Sequence, residues 1–397
     1  MSYIKESAKQ LEIKGNYDVV VAGGGIAGIS AALSAARLGA KTLLVEKQYM
    51  LGGLATLGLI TIYLPICDGE GRQVSFSIAE ELLHLSIKHG WEDKYPAPWL
   101  ENGTVEEKKK HRFEVQYNAN VCAILMEQLL IDNGVEILYG SSICSSIVKR
   151  DKIKALVIEN KSGRYAVECK SVVDATGDAD VVHLSGEETA MFKQKNVLAG
   201  WYYYHDKDKL KLKMLGFSDV PDKYKKPEDD QKLPRYEGLE ADEVSKMVTD
   251  SHKFLLDNFL KDGGITPDHA ITTVATIPQV RMTRRICGAY TIDDTEMHKE
   301  FSDSIGLISD WRKRGPVYEI PFSTLYGNKV KNLAVAGRCI SVTDAMWDIT
   351  RVIPVCAVTG EAAGAAAAMS DNFQKLSVSK LQKVLKKRGV VLHEKNL

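Results

Sequence analysis

Tyr17-Asp-Val-Val-Val-Ala-Gly-Gly-Gly-Ile-Ala-Gly-Ile29 decides the fold, together with the alanine-rich run to Gly39 and the stretch Lys41-Thr-Leu-Leu-Val-Glu-Lys47 that follow it. Val19 to Ala22 is a short apolar run suited to a buried parallel strand. Gly23, Gly25 and Gly28 come at once, in the G-x-G-x-x-G spacing. The first glycine permits a tight turn, the second lets a pyrophosphate approach the backbone, and the third lets the next helix pack on the strand. The spacing predicts that helix over 26–38, with bulk at Ile29, Leu33 and Ala36 and a stop at Gly39. A second apolar strand ends in Glu46, where a carboxylate can accept hydrogen bonds from an adenosine ribose. Strand, glycines, helix, strand and acid in this order specify a dinucleotide site. They leave NAD and FAD both open.

With 397 residues, the chain is long enough for two domains with substantial cores. Lys+Arg and Asp+Glu both number 52, so no global field recruits nucleic acid or anionic membrane. The local basic run at Lys108–Arg112 reads as a solvated loop without interleaved aromatics. Seven scattered cysteines without a C-x-x-C encode neither a zinc ribbon nor an iron–sulfur cluster and suit a reducing compartment. No metal site is expected. Lys5, Glu6 and Lys9 stand where a signal peptide needs an apolar core, and no apolar run reaches bilayer length. The expectation is a cytoplasmic protein.

Along the chain, 1–16 reads as a polar leader. Leu51-Gly-Gly-Leu-Ala-Thr-Leu-Gly58 is too apolar for a surface loop and reads as backbone passing close to something bound. Helices are expected over 78–89, 121–132 and 240–260, and an excursion from the core over 91–110. After a strand at 135–138, a β-meander is expected from strands at 145–148, 155–159 and 165–169, leading into Ser171-Val-Val-Asp-Ala-Thr-Gly-Asp-Ala-Asp180. From Glu187 to about Leu325 the style changes to an aromatic strand (196–205), a lysine-rich stretch (207–230) and an alternating segment (279–291) carrying Arg281, Arg284 and Arg285. Asn332-Leu-Ala-Val-Ala-Gly-Arg-Cys339 then returns to strand and glycine turn. Val358-Thr-Gly-Glu-Ala-Ala-Gly-Ala-Ala-Ala-Ala-Met369 reads as a helix whose first turns are small enough for a flat ligand at its N-terminus, or as a small-residue packing helix.

These motifs in this order resemble the FAD-dependent oxidoreductase family of the glutathione-reductase-like flavoproteins, related to fumarate reductase flavoproteins and to the heterodisulfide reductase flavin subunit. The resemblance runs over nearly the whole chain, including Arg285-Ile-Cys-Gly-Ala-Tyr290 and Tyr318-Glu-Ile-Pro-Phe322. It implies FAD as cofactor. It implies an α/β fold with a Rossmann-like FAD-binding domain, a parallel central sheet and a β-meander over 1–60, 113–187 and 327–397. An inserted α+β cap for the substrate would take 61–112 and 188–326. The resemblance places the pyrophosphate on Gly23, Gly25, Ile26, Ala27 and Gly28, and the ribose at Glu46 and Lys47. Gly52, Gly53, Ala55 and Thr56 would lie beside the pyrophosphate and flavin. Ala175, Thr176 and Gly177 would sit near the ADP half, with Ile143 at the adenine. Gly337 and Arg338 would lie near the ribityl, and Gly360, Glu361, Ala362 and Ala363 at the pyrimidine edge of the flavin. Arg338 stands where the wider superfamily has an aspartate that bonds the ribityl, whereas the close family has Gly-Arg, as here.

The expected reaction is hydride transfer between a small organic substrate and flavin N5 between the two domains. The alternative is an electron-transfer subunit of a larger redox complex. Catalytic candidates are Asp344, Trp347 and Arg351, with Arg351 also suited to pair with Asp344 or Asp348. Arg281 and Arg285 are candidates to bind an anionic substrate group. On an alternating strand those two share a face and Arg284 opposes them, so at least one arginine should serve a structural ion pair. His183 reads as packing and Cys339 as an inert buried thiol. The expected partners are the substrate and an electron donor or acceptor, with neither nucleic acid nor membrane, in a chain that can form homo-oligomers.

Overall fold

The computed structural model describes residue 4 and residues 10–89, 96–216 and 234–397. Strand β1 (Ile13–Ala22) leads into helix α1 (Ile26–Ala36) and strand β2 (Thr42–Val45). Helices α2 (Ile78–Ile87) and α3 (Ala119–Asp132) precede β3 (Glu136–Leu138), and three long strands follow: β4 (Ser142–Lys149), β5 (Lys152–Asn160) and β6 (Gly163–Asp174). The middle of the chain contributes β7 (Thr189–Met191), β8 (Tyr202–Asp206), β9 (Lys209–Lys213), helix α4 (Ala241–Lys261), β10 (His269–Val274) and β11 (Arg284–Ile286). Last come β12 (Leu333–Val335) and helices α5 (Asp344–Thr350) and α6 (Ile353–Met369).

The main sheet runs β3-β2-β1-β6-β5-β4, with β12 also on β6. Pairings among β3, β2, β1, β6 and β12 are parallel, whereas β6-β5 and β5-β4 are antiparallel. The expected strands at 165–169 and 171–174 are one continuous strand: its first half closes the meander, and its second half lies in the parallel core. The parallel strands end in register, with Ala22 opposite both Val45 and Asp174, and Asp174 opposite Val335. Ligand sites of open α/β sheets lie beyond such strand ends.

Four expectations are corrected. The end of the polar leader is already strand, because Ile13 and Asn16 pair with Ala166 and Glu168; its residues 1–3 and 5–9 lie outside the described residues. Lys108–Lys110 is no loop. It closes a helical turn (Val105–Lys110) that starts at a capping box of Thr104 and Glu107, leaving its lysines at the favourable C-terminal end. In the alternating stretch 279–291 only Arg284–Ile286 is strand, so periodicity does not relate Arg281 to Arg285. The fourth concerns α6. It begins at Ile353 rather than near Gly360, with Pro354 in its first turn. The lysine-rich stretch 207–230 is described only as far as residue 216, and the excursion 91–110 only from residue 96.

Helices α1 and α6, buried along most of their length, fill one face of the sheet. A Cβ on Gly360 would stand 2.3 Å from the Ala27 carbonyl oxygen and one on Gly364 would stand 2.0 Å from that of Ala31. The small residues of α6 therefore exist for helix–helix contact, and side chains there would force the pair apart. The chief apolar core extends from β1 to Leu392 and takes in Tyr63, Phe113, Ile286 and Tyr318. Two small clusters of their own, Leu198–Tyr236–Met247–Val280 and Tyr202–Leu255–Phe259, lie under α4.

Candidate active site

Each parallel strand end opens into a turn of small residues. At the end of β1, Gly23 has φ +94°, and a Cβ there would meet the Ala175 carbonyl oxygen at 2.6 Å, so glycine is obligatory. A Cβ on Gly28 would lie 1.8 Å from the Gly23 carbonyl oxygen. Gly25 is different. It caps α1 with an extended backbone (φ −71°, ψ 177°), and a Cβ on it would meet nothing within 4 Å. Protein packing thus explains Gly23 and Gly28, whereas the open side of Gly25 matches the close approach of a phosphate to the first turn of α1 at Ile26 and Ala27.

Glu46 closes this turn from β2. Gly24 N–H donates to its Oε2 (2.6 Å) and Gln48 N–H to its Oε1 (2.7 Å). Each oxygen keeps a second acceptor site for a ribose hydroxyl. Lys47 beside it is exposed. The Gly52-Gly53 loop lies on the same turn: Gly52 N–H donates to Gly24 O (2.8 Å), and both glycines are left-handed, at φ +101° and +55°. Ala55 and Thr56 are buried and hold that loop, since Tyr117 O–H donates to Ala55 O (2.8 Å) and Thr56 Oγ1 to Leu51 O (2.5 Å). Ile143 stands on β4 opposite Ile158, next to a register shift.

At the end of β6, Ala175 N–H donates to Ala22 O (2.8 Å). The fully buried Asp174 accepts from Thr176 N–H, Thr176 Oγ1 and Val182 N–H. Burial, aided by Asp180, pushes its carboxyl up to about 6. Beyond β12, Gly337 N–H donates to Thr359 Oγ1 (3.0 Å), and a Cβ on it would strike Ala27 Cβ at 2.8 Å. Arg338 crosses over Gly177, donates through Nη1 to Val280 O (2.5 Å) and Arg281 O (2.9 Å), and stands 3.6 Å from Asp178. It clamps the segment 280–281 onto the glycine turns.

Because α6 starts at Ile353, its unpaired N–H groups belong to the turn 352–355, not to Gly360, Glu361, Ala362 and Ala363. The proline at 354 was the sequence signal for this start. Glu361 is instead buried at the N-terminus of α2, accepting from Ser77 Oγ (2.7 Å) and Ile78 N–H (3.2 Å).

The catalytic candidates on α5 and at its C-cap, Arg351, separate in role. Trp347 is fully buried, and its indole N–H donates to Arg338 O (2.8 Å). Arg351 pairs with buried Asp348 (2.8 Å), which also meets Arg312 (3.2 Å), while Arg312 binds Asp310. Asp344 is half-buried and accepts from Lys193 N–H (3.3 Å). Arg284 pairs with Asp180 (2.9 Å), a structural role. Arg281 is buried with its guanidinium 5.0 Å from the Trp201 ring centre, and Arg285 lies 5.6 Å from that of Trp347. Cys339 is buried and burial pushes its thiol well up, which leaves it inert; His183 sits on the short helix after Ala179. Among the described residues no cluster of His, Cys, Asp and Glu is placed to hold a metal, and no single helix is long and apolar enough to cross a membrane.

Sequence reasoning missed Gln279. Its buried carboxamide accepts from Trp201 N–H (3.0 Å) and donates to Gly58 O (2.7 Å), while Thr276 N–H donates to Leu57 O (3.0 Å). It ties the middle of the chain to the second glycine loop, next to buried Leu59 in a left-handed conformation (φ +57°). Gln279→Leu strands two buried backbone groups and is expected to cost roughly 2–4 kcal/mol in denaturant unfolding.

Two curated relatives match in part. A thioredoxin reductase of Ureaplasma parvum is 35% identical over 71 residues, 18% of this chain and 23% of that protein. A thiamine thiazole synthase of Methanococcus vannielii is 31% identical over 175 residues, 42% of this chain and 58% of that protein. The chain thus spans from about a quarter to somewhat over half the length of these relatives. A solved structure, a geranylgeranyl bacteriochlorophyll reductase-like protein of Thermoplasma acidophilum, is 14% identical with a TM-score of 0.47, covering 94% of this chain and 84% of that one. The model of the FAD dependent oxidoreductase family matches residues 18–199 and 206–385, and the chain belongs to that family, with FAD as its cofactor.

Proposed function

We propose that this enzyme moves a hydride between a small organic substrate and FAD where the nucleotide-binding part (1–60, 113–187, 327–397) meets the part formed by 61–112 and 188–326. The observation that carries the reading is Gly25: a glycine that the protein's own packing does not require, at the mouth of a turn where four strand ends converge. FAD, when bound, supplies a two-electron carrier that accepts or returns a hydride.

Gly23, Gly25, Ile26, Ala27 and Gly28 would hold its pyrophosphate by backbone N–H groups, with Gly52 and Gly53 beside it. Glu46 would accept the ribose hydroxyls, next to Lys47. Ile143, Ala175, Thr176 and Gly177 would line the ADP half, and Gly337 the ribityl. The buried bonds of Ala55, Thr56 and Arg338 suit them to shape the site rather than to touch the ligand. The N–H groups of the first turn of α6, those of Ile353 and Val355 beside Pro354, would favour negative charge on a ring edge nearby, with Gly360–Ala363 farther along the same helix. Gln279 and Arg338 exclude water by clamping segments over the glycine loops. Trp347 supplies a fixed wall, and Arg351 positions the α5–α6 joint through Asp348. Asp344, half-buried and within the electrostatic reach of Arg285, would be the residue to hold or move a proton. An electron donor or acceptor outside the chain completes the cycle.

An anaerobic visible spectrum of the FAD-loaded protein tests this. Oxidised flavin bands should bleach on adding NADH, NADPH or an organic donor, in step with donor consumed. A protein that takes up no FAD, or whose flavin exchanges no hydride with any organic donor or acceptor, would refute the reading.

A further inference from the structure

We infer that Arg285 anchors a carboxylate carried by the organic substrate; this rests on the reading above that the substrate lies at this seam. Strand β11 pairs with β7, Arg285 opposite Ala190. Alternation sends Arg284 to one face, where it meets Asp180, and Arg285 to the other. On that face the guanidinium lies over the indole of Trp347, 5.6 Å from the ring centre. The indole cannot drift: it is fully buried, its N–H is held by Arg338 O, and Phe192 meets it edge-on at 5.8 Å and 85°. The planar cation therefore rests on a fixed aromatic plate, an arrangement that sets the direction of its donor edge.

The donors themselves are underused. A guanidinium has five N–H bonds to give. Arg285 gives one from Nη1 to the carbonyl of Ile286 at 3.2 Å, and its buried Nε has no partner. Arg284, Arg312, Arg338 and Arg351 each have a carboxylate within ion-pair distance. No described carboxylate stands that close to Arg285; Asp344 and Cys287 act on it from farther away, and burial holds its pKa below the usual guanidinium range. Taking a cation partly out of water with no carboxylate in ion-pair contact is unfavourable, and a fold without another use for it would favour an apolar side chain. A carboxylate from outside would accept two parallel N–H bonds and repay that cost. The place is apt. The plate under Arg285 is bonded to the carbonyl of the residue after Gly337, so an acid held here has its carbon chain beside the cofactor turns.

Calorimetric titration of the FAD-loaded enzyme with acetate, succinate and benzoate, and with methyl phosphate as a control, tests this without any turnover. At least one carboxylate should bind, weakened about tenfold or more in Arg285→Gln, a loss of about 1.4 kcal/mol. Arg285→Lys, which keeps the charge without the fork, should fall between and carries the test where the glutamine variant fails to fold. FAD content should be unchanged in both. Carboxylate binding that survives Arg285→Gln, no carboxylate binding in the parent, or methyl phosphate binding tighter than every carboxylate overturns the assignment. Loss of FAD from a variant that still folds overturns it too, because the anion would then be the cofactor's own pyrophosphate. If the hydride-transfer reading fails while the isotherms behave as expected, the binding site stands without that chemistry.

Discussion

Gly25→Val is expected to leave the apoprotein's melting temperature almost unchanged and to weaken FAD binding by about 100-fold or more, roughly 3 kcal/mol. Its neighbour in the motif should behave in the opposite way. Gly28→Ala places a methyl 1.8 Å from the Gly23 carbonyl oxygen, and both atoms belong to backbone that cannot step aside. Overpacking of this kind costs about 1–3 kcal/mol where side chains can move and more where they cannot. That variant should therefore unfold at a lower temperature whether or not FAD is present. Thermal unfolding of both apoproteins, followed by titration with FAD, reads the contrast. If Gly25→Val binds FAD like the parent, the open side of Gly25 is not where the phosphates lie. If it melts with Gly28→Ala, packing explains all three glycines and the cradle loses its support.

Glu361→Gln should make the protein more stable at pH 8 than its parent, by about 3 kcal/mol, with little difference near pH 4.5. The carboxyl is buried between α6 and the start of α2, and that burial pushes it up to about 7 against the hydrogen bonds from Ser77 and Ile78 and the fields of Arg388 and Arg37. The folded chain therefore holds this proton more tightly than the unfolded chain does. Stability from the group is complete below the unfolded value of 4.5 and drains away as pH rises to about 7. The gap of about 2.5 units corresponds to about 3 kcal/mol. Glutamine carries no charge: its carbonyl oxygen accepts from Ile78 N–H, and its NH2 group donates to Ser77 Oγ, whose hydroxyl turns to accept. Denaturant unfolding of both proteins at pH 5 and pH 8 isolates the effect, since Asp174 and every other titrating group is shared. A parent whose advantage or deficit against Glu361→Gln is the same at both pH values would show that Glu361 does not titrate in this window.

What could be seen in the sequence was what depends on neighbours along the chain. Val19–Ala22, the three glycines, α1 and Glu46 lie within one βαβ unit, and each obeys a local rule of spacing. The structure keeps them where the spacing put them, and adds the bond from Gly24 to Glu46. Other features depend on partners far away. Arg338 looks like a ligand contact in its motif, yet its hydrogen bonds go to carbonyls of Val280 and Arg281. Gln279 is unremarkable in its own segment and matters because Gly58 O lies across from it. Gly360 and Gly364 were ambiguous, as small residues serve a bound ligand and a neighbouring helix equally well. Only the position of α1 decides between the two. The start of α6 is written locally, because Pro354 marks a first turn well before the small residues from Gly360 on.

Strand β6 has a consequence for how the enzyme is made. One partner, β1, comes from the beginning of the chain; another, β12, comes from its last fifth, pairing Leu333 with Val172. Pairings so distant in sequence are slow to form, since loop closure must precede any gain. On the ribosome, β1 and β6 can meet while the edge that β12 will occupy is still bare, and Gly337 and Thr359 have not yet been synthesised. Nascent chains at that stage expose an unpaired parallel edge, a template for wrong association. The nucleotide pocket is thus completed late in synthesis, and a chain arrested before β12 should be a client for chaperones rather than a flavoprotein.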